Sequence, residues 1–242
     1  MKSARIVDAR AVDPPLRGQS PTLGPALREA LQQRLQGFAP RLAPLALRAG
    51  ARRAAVALAI CEAGFGADLP GLPVWADWSA DAALLLTRRA GSLRNHKGQW
   101  ALPGGRMDEG ESAEQTALRE LAEEVGLHLD AGAVLGRLDD YATRSGFSIT
   151  PVVIWAGRAD PLQMNPAEVA SIHRIEVAEF MRRDSPMLEP SAHGPHPVLR
   201  LPVGDSWIAA PTAAMIHQFC EVCLLGRETR VAHFDQPDFA WR

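Results

Sequence analysis

The stretch Gly105 to Leu127, GRMDEGESAEQTALRELAEEVGL, constrains this chain more tightly than any other. Ser112 followed three residues later by Gln115 is a capping box, so a helix is predicted from Ala113 to a glycine cap at Gly126. At 100° per residue Glu120, Glu123 and Glu124 share one arc of that helix, and Ala117, Leu118, Leu121 and Val125 fill the neighbouring arc. One arc anchors the helix and the other is acidic. Like charges at these spacings oppose folding unless a cation sits among them. Arg119, one turn before Glu123, is placed to pair with a carboxylate and orient it.

A glutamate-rich helix is usually a solvated surface. Here the turn Pro103-Gly104-Gly105 and a further carboxylate, Glu111, precede it at short range, and a loop folded back on the helix would bring more oxygen to the cluster. Converging hard oxygens suit Mg²⁺ or Mn²⁺, which keep waters and bridge phosphate oxygens. A phosphate-bearing substrate follows from that choice of ion. Global charge gives no competing explanation: 26 Lys and Arg against 28 Asp and Glu leave −2, no field for gathering nucleic acid or an anionic membrane.

The 242 residues suit one compact domain with extensions. Boundaries are expected at 1–50 for an N-terminal extension with an amphipathic helix, 51–226 for the main domain and 227–242 for a tail. The N-terminal residues MKSARIVDARAVDPPLRG lack the apolar core of a signal peptide, and the longest apolar run, Ala54 to Cys61, is too short to span a bilayer. The expectation is a cytoplasmic protein. Cys220 and Cys223 form a C-x-x-C inside an apolar helix without a second ligand pair, and so read as buried hydrophobes.

Leu27, Leu31 and Leu35 form one stripe of a helix over 25–36 that stops at Gly37. Ala54–Cys61 and Ala82–Thr87 read as buried strands, the first alanine-rich enough to leave a helix open. Glu62 to Ala80, rich in Gly and Pro and carrying Trp75 and Trp78, reads as a long loop and a binding or dimer element. Ile149–Trp155 is a strand whose Pro151 argues for an edge or a bulge, and Ser171–Val177 is a weaker one. Ser185 to Pro202 reads as a proline-rich loop, and Pro211–Leu225 as a helix ended by Gly226.

The pattern G-x5-E-x7-R-E-U-x-E-E-x-G-U, with U aliphatic, is met at all nine specified positions from Gly105 to Leu127 and resembles the Nudix box. The resemblance implies an α/β/α sandwich on a mixed sheet, dependence on a divalent metal, and hydrolysis of a nucleoside diphosphate linked to another moiety. It also implies that Glu120, Glu123 and Glu124 hold metal with Gly105, that Arg119 orients a glutamate, and that Glu111 braces the loop or assists the metal. Glu120, Glu123 or the later Glu168, in NPAEV, would serve as base; Glu168 is similar to the distal glutamate many members bring from a later loop.

Upstream, Leu85-Leu86-Thr87-Arg88-Arg89-Ala90, Arg94, Gly98 and Leu102-Pro103-Gly104-Gly105 are similar to the signature of the coenzyme A pyrophosphatases within that family. Leu102 stands where those enzymes usually carry an aromatic residue. The likeness makes Arg89, Arg94, His96 and Lys97 candidates for the 3′-phosphoadenosine group, a task suited to guanidinium forks. YATRSGFSITP, from Tyr141 to Pro151, is similar to the segment after the box in the same subgroup, with Tyr141 stacking on a base or lying half-buried, and Ser145 or Arg144 touching phosphate. The implied substrate is coenzyme A or an acyl derivative, cut to 3′,5′-ADP and (acyl-)phosphopantetheine. ADP-ribose or a dinucleoside polyphosphate is the alternative within the class, and a non-catalytic nucleotide sensor or interaction module the alternative outside it. The flanking helix and the tryptophan-bearing segment point to a homodimer.

Overall fold

A computed structural model describes residues 19–44, 52–91 and 98–238. In chain order its elements are α1 (Pro25–Gly37), β1 (Arg52–Gly66), β2 (Val74–Arg89), β3 (Trp100–Ala101), β4 (Gly104–Arg106), α2 (Ala113–Val125), β5 (Val134–Arg137), β6 (Tyr141–Ala142) and β7 (Phe147–Gly157). They continue with β8 (Val169–Glu176), α3 (Val177–Phe180), β9 (Met187–Glu189), β10 (Val198–Val203), β11 (Ser206–Ala209) and α4 (Thr212–Phe219). No helix among the described residues is long and apolar enough to cross a membrane.

β1 explains the architecture. Its sequence alternates small and large: Ala55, Ala57, Ala59, Cys61 and Ala63 belong to one core, Leu58 and Ile60 to another. Alternation sends the two sets to opposite faces of the sheet, whereas a helix would have mixed them. The small set packs under α2, whose Ala113, Ala117, Leu121 and Val125 are at most 1% exposed. The large set faces α1, α4 and the C-terminal strands. The result is a mixed sheet between helical layers, the expected α/β/α sandwich.

The main sheet has eight strands in the order β3-β2-β1-β7-β5, with β4 on β1, β6 on β7 and β8 on β2. β1 and β7 run parallel over Arg52↔Phe147 to Cys61↔Gly157, and the other pairs are antiparallel. β1 meets β2 only from Ile60↔Leu84 outward to Gly66↔Val74. Toward its start β1 pairs with β4 instead, Ala54↔Arg106 to Val56↔Gly104, while the end of β2 takes β3 at Thr87↔Ala101 and Arg88↔Trp100. The two long strands therefore fork, and the segment 98–106 fills the fork. β9, β10 and β11 form a separate antiparallel sheet against α4.

Three sequence expectations need correcting. Glu62–Ala80 is no long loop but the far arm of the β1–β2 hairpin, with only 67–73 between strands. Gly64 and Gly66 read as loop punctuation, yet at φ 62° and 99° they sit where the ladder slips register. Trp78 lies on Gly64, donates to Glu62, and is covered by the Arg158 and Arg174 guanidinium groups at 4.2 and 5.1 Å. Ser185–Pro202 contains β9 and most of β10; its prolines masked the apolar run Val198–Val203. Pro151 lies in an interior strand, opposite Val56. Its carbonyl accepts from Leu138 N–H at 3.0 Å, so its missing donor falls in the gap between β5 and β6, where no ladder bond is needed.

Other elements follow the sequence. α1 buries Leu31 and Leu35, with Leu27 partly covered, although it ends on an extended Phe38 rather than a glycine cap. α4 begins after Pro211 and opens into a wider π turn over Cys220–Leu224 before Gly226, φ 66°. Cys220 and Cys223 are free and buried, and burial pushes both thiols well above their usual range. Within 227–238, Val231 is 1% exposed and Asp235 bridges Val198 on β10.

Candidate active site

The local rules written around α2 are obeyed. Ser112 Oγ accepts from Gln115 N–H, the Gln115 side chain accepts from Ser112 N–H at 2.8 Å, and Gly126 closes the helix at φ 69°. Arg119 is the hub of the acidic arc. Its Nε and Nη2 donate to the two Glu111 oxygens at 2.8 and 3.1 Å, and Nη1 donates to Glu120 and Glu123 at 2.9 and 3.0 Å. Nη2 also donates to the Arg106 carbonyl at 3.1 Å, which ties the helix to β4. Glu111 further accepts from Thr116 Oγ1 at 2.7 Å and Asp108 N–H at 3.0 Å. With Arg119 foremost, these donors hold its carboxyl down at about 2. Both Glu111 oxygens are engaged, and they tie the loop to α2.

Three carboxylates converge. Ligand oxygens of Glu120, Glu124 and Glu168 all lie within 4.8 Å of one another, Glu120 and Glu124 buried and Glu168 exposed. Glu120 and Glu124 stand one turn apart on α2. Glu168 comes from the loop before β8, which is stitched to the end of α2: Gln163 N–H donates to Val125 O at 2.9 Å and Asn165 N–H to Glu124 O at 3.0 Å. The Glu168 carbonyl accepts from Ala90 N–H at 2.8 Å, so β2, α2 and β8 fix the trio together. Glu123 does not join it; its side chain is 53% exposed and faces Arg119.

Burial pushes Glu124 up to about 8, with Glu120 and Glu168 adding repulsion and Arg89 and the Gly104 N–H opposing it. Burial likewise raises Glu120, against the pull of Arg119. Arg119 and Arg89 offset only part of the charge of three carboxylates so close together, and a divalent cation would offset the rest. The donors are all hard carboxylate oxygens, as Mg²⁺ or Mn²⁺ prefers. Close approach is built into the backbone as well: a Cβ on Gly105 would overlap Glu120 Oε1. The residues present fit a divalent cation.

On the opposite side of β4 lies a cleft of about 650 Å³. Its walls include Val56, Trp100, Phe147, Ile149 and the stretch Ser206–Thr212 from β11 to the start of α4. Arg88, Arg89 and Arg106 line it, and no described Asp or Glu does. Arg89 ends β2 beside Glu168, and its Nε is buried with no hydrogen-bond partner among the described residues. Arg88 lies 3.7 Å over the Trp100 ring and donates to Gly98 O at 2.9 Å.

The sequence candidates therefore divide. Glu120, Glu124 and Glu168 are brought together, Arg119 and Glu111 hold them, and Arg89 reaches the cleft. Ser145 also lines the cleft, its Oγ 3.0 Å from Thr143 Oγ1. Tyr141 does not present a stacking face: it is 1% exposed, and its hydroxyl donates to Phe234 O at 2.7 Å. Arg144 is held by Asp235 rather than standing at the cleft. Arg94, His96 and Lys97 lie outside the described residues. Sequence reasoning missed Arg106 and the 206–212 wall. Arg106 could have been found by strand alternation, since its neighbour Gly105 serves the carboxylates; the wall had no local signal.

A family model described as NUDIX domain matches residues 74–200. An uncharacterized Nudix hydrolase NudL of Photorhabdus laumondii is 38% identical over 141 residues, 57% of this chain and 75% of the relative. The NudL of Yersinia enterocolitica is 42% identical over 103 residues, 42% of this chain and 53% of its own length. Nudix hydrolase 3 of Caenorhabditis elegans is 35% identical over 105 residues, 42% of this chain and 44% of that protein. The chain thus spans about half the length of these last two relatives. Among solved structures, a MutT/nudix family protein from Enterococcus faecalis overlays with TM-score 0.43 and 17% identity, over 67% of this chain and 52% of that one. The matched segment holds β2, the glycine loop, α2 and the loop of Glu168, and the chain belongs to the Nudix hydrolase family.

Proposed function

We propose that this protein is a divalent-metal-dependent hydrolase of the diphosphate link in nucleoside diphosphate derivatives, with coenzyme A or acyl-coenzyme A as its substrate. The observation that carries the reading is the convergence of Glu120, Glu124 and Glu168 beside a glycine loop, next to an arginine-lined cleft. The coenzyme A assignment is supported by the likeness of the stretch from Leu85 to Gly105 to the coenzyme A pyrophosphatase signature, and Arg89 in that stretch lines the cleft and opposes the charge of Glu124.

Glu120, Glu124 and Glu168 would hold Mg²⁺ or Mn²⁺, which when bound supplies charge neutralisation for the diphosphate and lowers the pKa of an attacking water. The remaining work belongs to the chain. Arg119 fixes the Glu120 rotamer through its Nη1, so that the buried carboxylate points at Gly105 without reorganising. Arg89, with a buried N–H lacking an acceptor, binds a phosphate oxygen at the mouth of the cleft. Glu168, exposed at the edge of the trio, takes the proton of the attacking water on a carboxylate oxygen. The cleft walls exclude solvent from one side and orient the nucleotide.

Purified protein incubated with Mg²⁺ or Mn²⁺ and coenzyme A should release 3′,5′-ADP and phosphopantetheine, and Glu124→Gln should abolish the release. Binding without turnover under either metal would overturn the hydrolase reading. Equal kcat/KM on ADP-ribose would move the assignment to that neighbouring substrate class.

A further inference from the structure

We propose that the cleft side of β4 is a second anion subsite, where the Arg106 guanidinium receives a phosphate monoester carried by the nucleoside half of the substrate, apart from the diphosphate that is cut. The inference rests on the diphosphate-hydrolase reading and adds a residue and a ligand chemistry to it. Its basis is the alternation of a three-residue strand. Gly105 faces the carboxylates, since a Cβ there would meet Glu120 Oε1, so Arg106 is directed to the other side, into the cleft it lines. One strand separates the converging carboxylates from a guanidinium with no ion pair among the described residues. The two subsites are adjacent in sequence and on opposite sides of one backbone, so a nucleotide lying across β4 reaches both.

Charge supports the same conclusion. Three arginines, Arg88, Arg89 and Arg106, are among the residues that line this cavity, and no described Asp or Glu is. Cations gathered without a counter-charge repel, and the arrangement is favourable once anions enter. The three are not equivalent. Arg89 senses Glu124 and stands at the diphosphate. Arg88 is clamped between the Trp100 ring and the Gly98 carbonyl.

Arg106 is held by a ring alone. Among the described residues its guanidinium makes no ion pair or hydrogen bond, and its contact is the face of Phe147, 5.2 Å away. Arg52 shares that ring at 4.4 Å but donates to the Ser145 carbonyl, which leaves Arg106 as the fork available to a ligand. Arginine suits a terminal phosphate because two parallel N–H groups match two of its oxygens. Val56 and Ile149 on the walls supply apolar area for the attached base, while the Trp100, Phe147 and Trp207 rings are taken up by the Arg88, Arg106 and Arg200 guanidinium groups.

The test uses two substrates that differ by one phosphate, coenzyme A and 3′-dephospho-coenzyme A, with wild-type protein, Arg106→Gln and Arg106→Lys under Mg²⁺. Wild type should prefer coenzyme A, and Arg106→Gln should lower the ratio of the two kcat/KM values by roughly ten- to a hundredfold, the loss of a charged hydrogen-bond pair. Arg106→Lys, which keeps charge without the fork, should retain part of the preference. A ratio preserved in Arg106→Gln overturns the proposal. If wild type cuts neither compound, the coenzyme A reading fails, and calorimetry with adenosine 3′,5′-bisphosphate and AMP then decides the subsite. Preference for the bisphosphate that disappears in Arg106→Gln supports it, and equal binding of both nucleotides by wild type overturns it.

Discussion

Arg119 grips Glu111 with two parallel hydrogen bonds, Nε to Oε1 at 2.8 Å and Nη2 to Oε2 at 3.1 Å, across the loop that separates them. The same guanidinium reaches Glu120, so the loop and the converging carboxylates share one positioning group. Lysine cannot reproduce a fork of this kind. Arg119→Lys is expected to lower kcat by about a hundredfold, the scale of an ångström of misplacement, while circular dichroism shows the fold retained. Activity within a few-fold of wild type would remove Arg119 from the positioning network.

The Glu111 brace also sets an acid limit. Its folded value of about 2 lies below the ordinary 4.5, so its contribution to stability is full above pH 4.5 and fades as pH falls through 2. Thermal unfolding of Glu111→Gln should sit below wild type at neutral pH, by an amount on the order of 1–2 kcal/mol for a partly exposed network. The gap should close between pH 4.5 and 2. A constant gap across that range would show that the loss is steric rather than electrostatic.

Removal of a cation should expose the strain among Glu120, Glu124 and Glu168. In chelator, Glu124→Gln is expected to unfold at the same temperature as wild type or higher, because burial and the neighbouring carboxylates disfavour an ionised Glu124 and the amide has no charge to bury. Added Mg²⁺ should raise the wild-type midpoint by mass action and move the variant little, by about 2.7 kcal/mol at a hundredfold excess over Kd. Equal shifts in both proteins would place the ion elsewhere.

Gly105 is confined by Glu120 on one side, and Gly104 by the Ala55 carbonyl, 2.5 Å from where a Cβ would stand. Gly105→Ala is expected to cost about 1–3 kcal/mol and to displace the Glu120 carboxylate, with loss of metal-dependent turnover. Metal titration followed by calorimetry checks it; wild-type affinity in the alanine variant would contradict the tight approach.

The tail holds one wall of the cleft. Asp235 accepts from Arg144 Nε and Nη2 at 2.9 and 2.7 Å, Gln236 Nε2 donates to Ala142 O at 3.2 Å, and the turn so pinned carries Thr143 and Ser145. Asp235→Ala should raise KM several-fold with kcat little changed, as expected when a substrate wall loosens while the carboxylates stay in place. A matched fall in kcat would show that the strap reaches the reacting groups.

Legibility in the sequence tracked how local each determinant was. α2 could be read residue by residue, because capping, arc and glycine stop all lie within one short stretch, and the structure repeats them. The trio was legible only in part. Glu120 and Glu124 follow from helical spacing, but the choice of Glu168 over Glu123 depends on a loop stitched to the α2 carbonyls, a contact between distant segments. Tyr141 failed for the same reason: Phe234, far along the chain, takes its hydroxyl. The β1–β2 hairpin was hidden because Gly64 and Gly66 signal a loop and a bulge equally well.

The row of Ala55, Ala57 and Ala59 beneath α2 has a meaning beyond filling space. Each side chain is a single methyl, so the row sets how low the helix can ride on the sheet, and with it how near Glu120 comes to Gly105. These alanines act as shims under a tool mount. A methylene or two added there, as in Ala57→Val, would lift the carboxylates away from the loop without touching any residue of the site, so reaction geometry in this protein is calibrated from the interior.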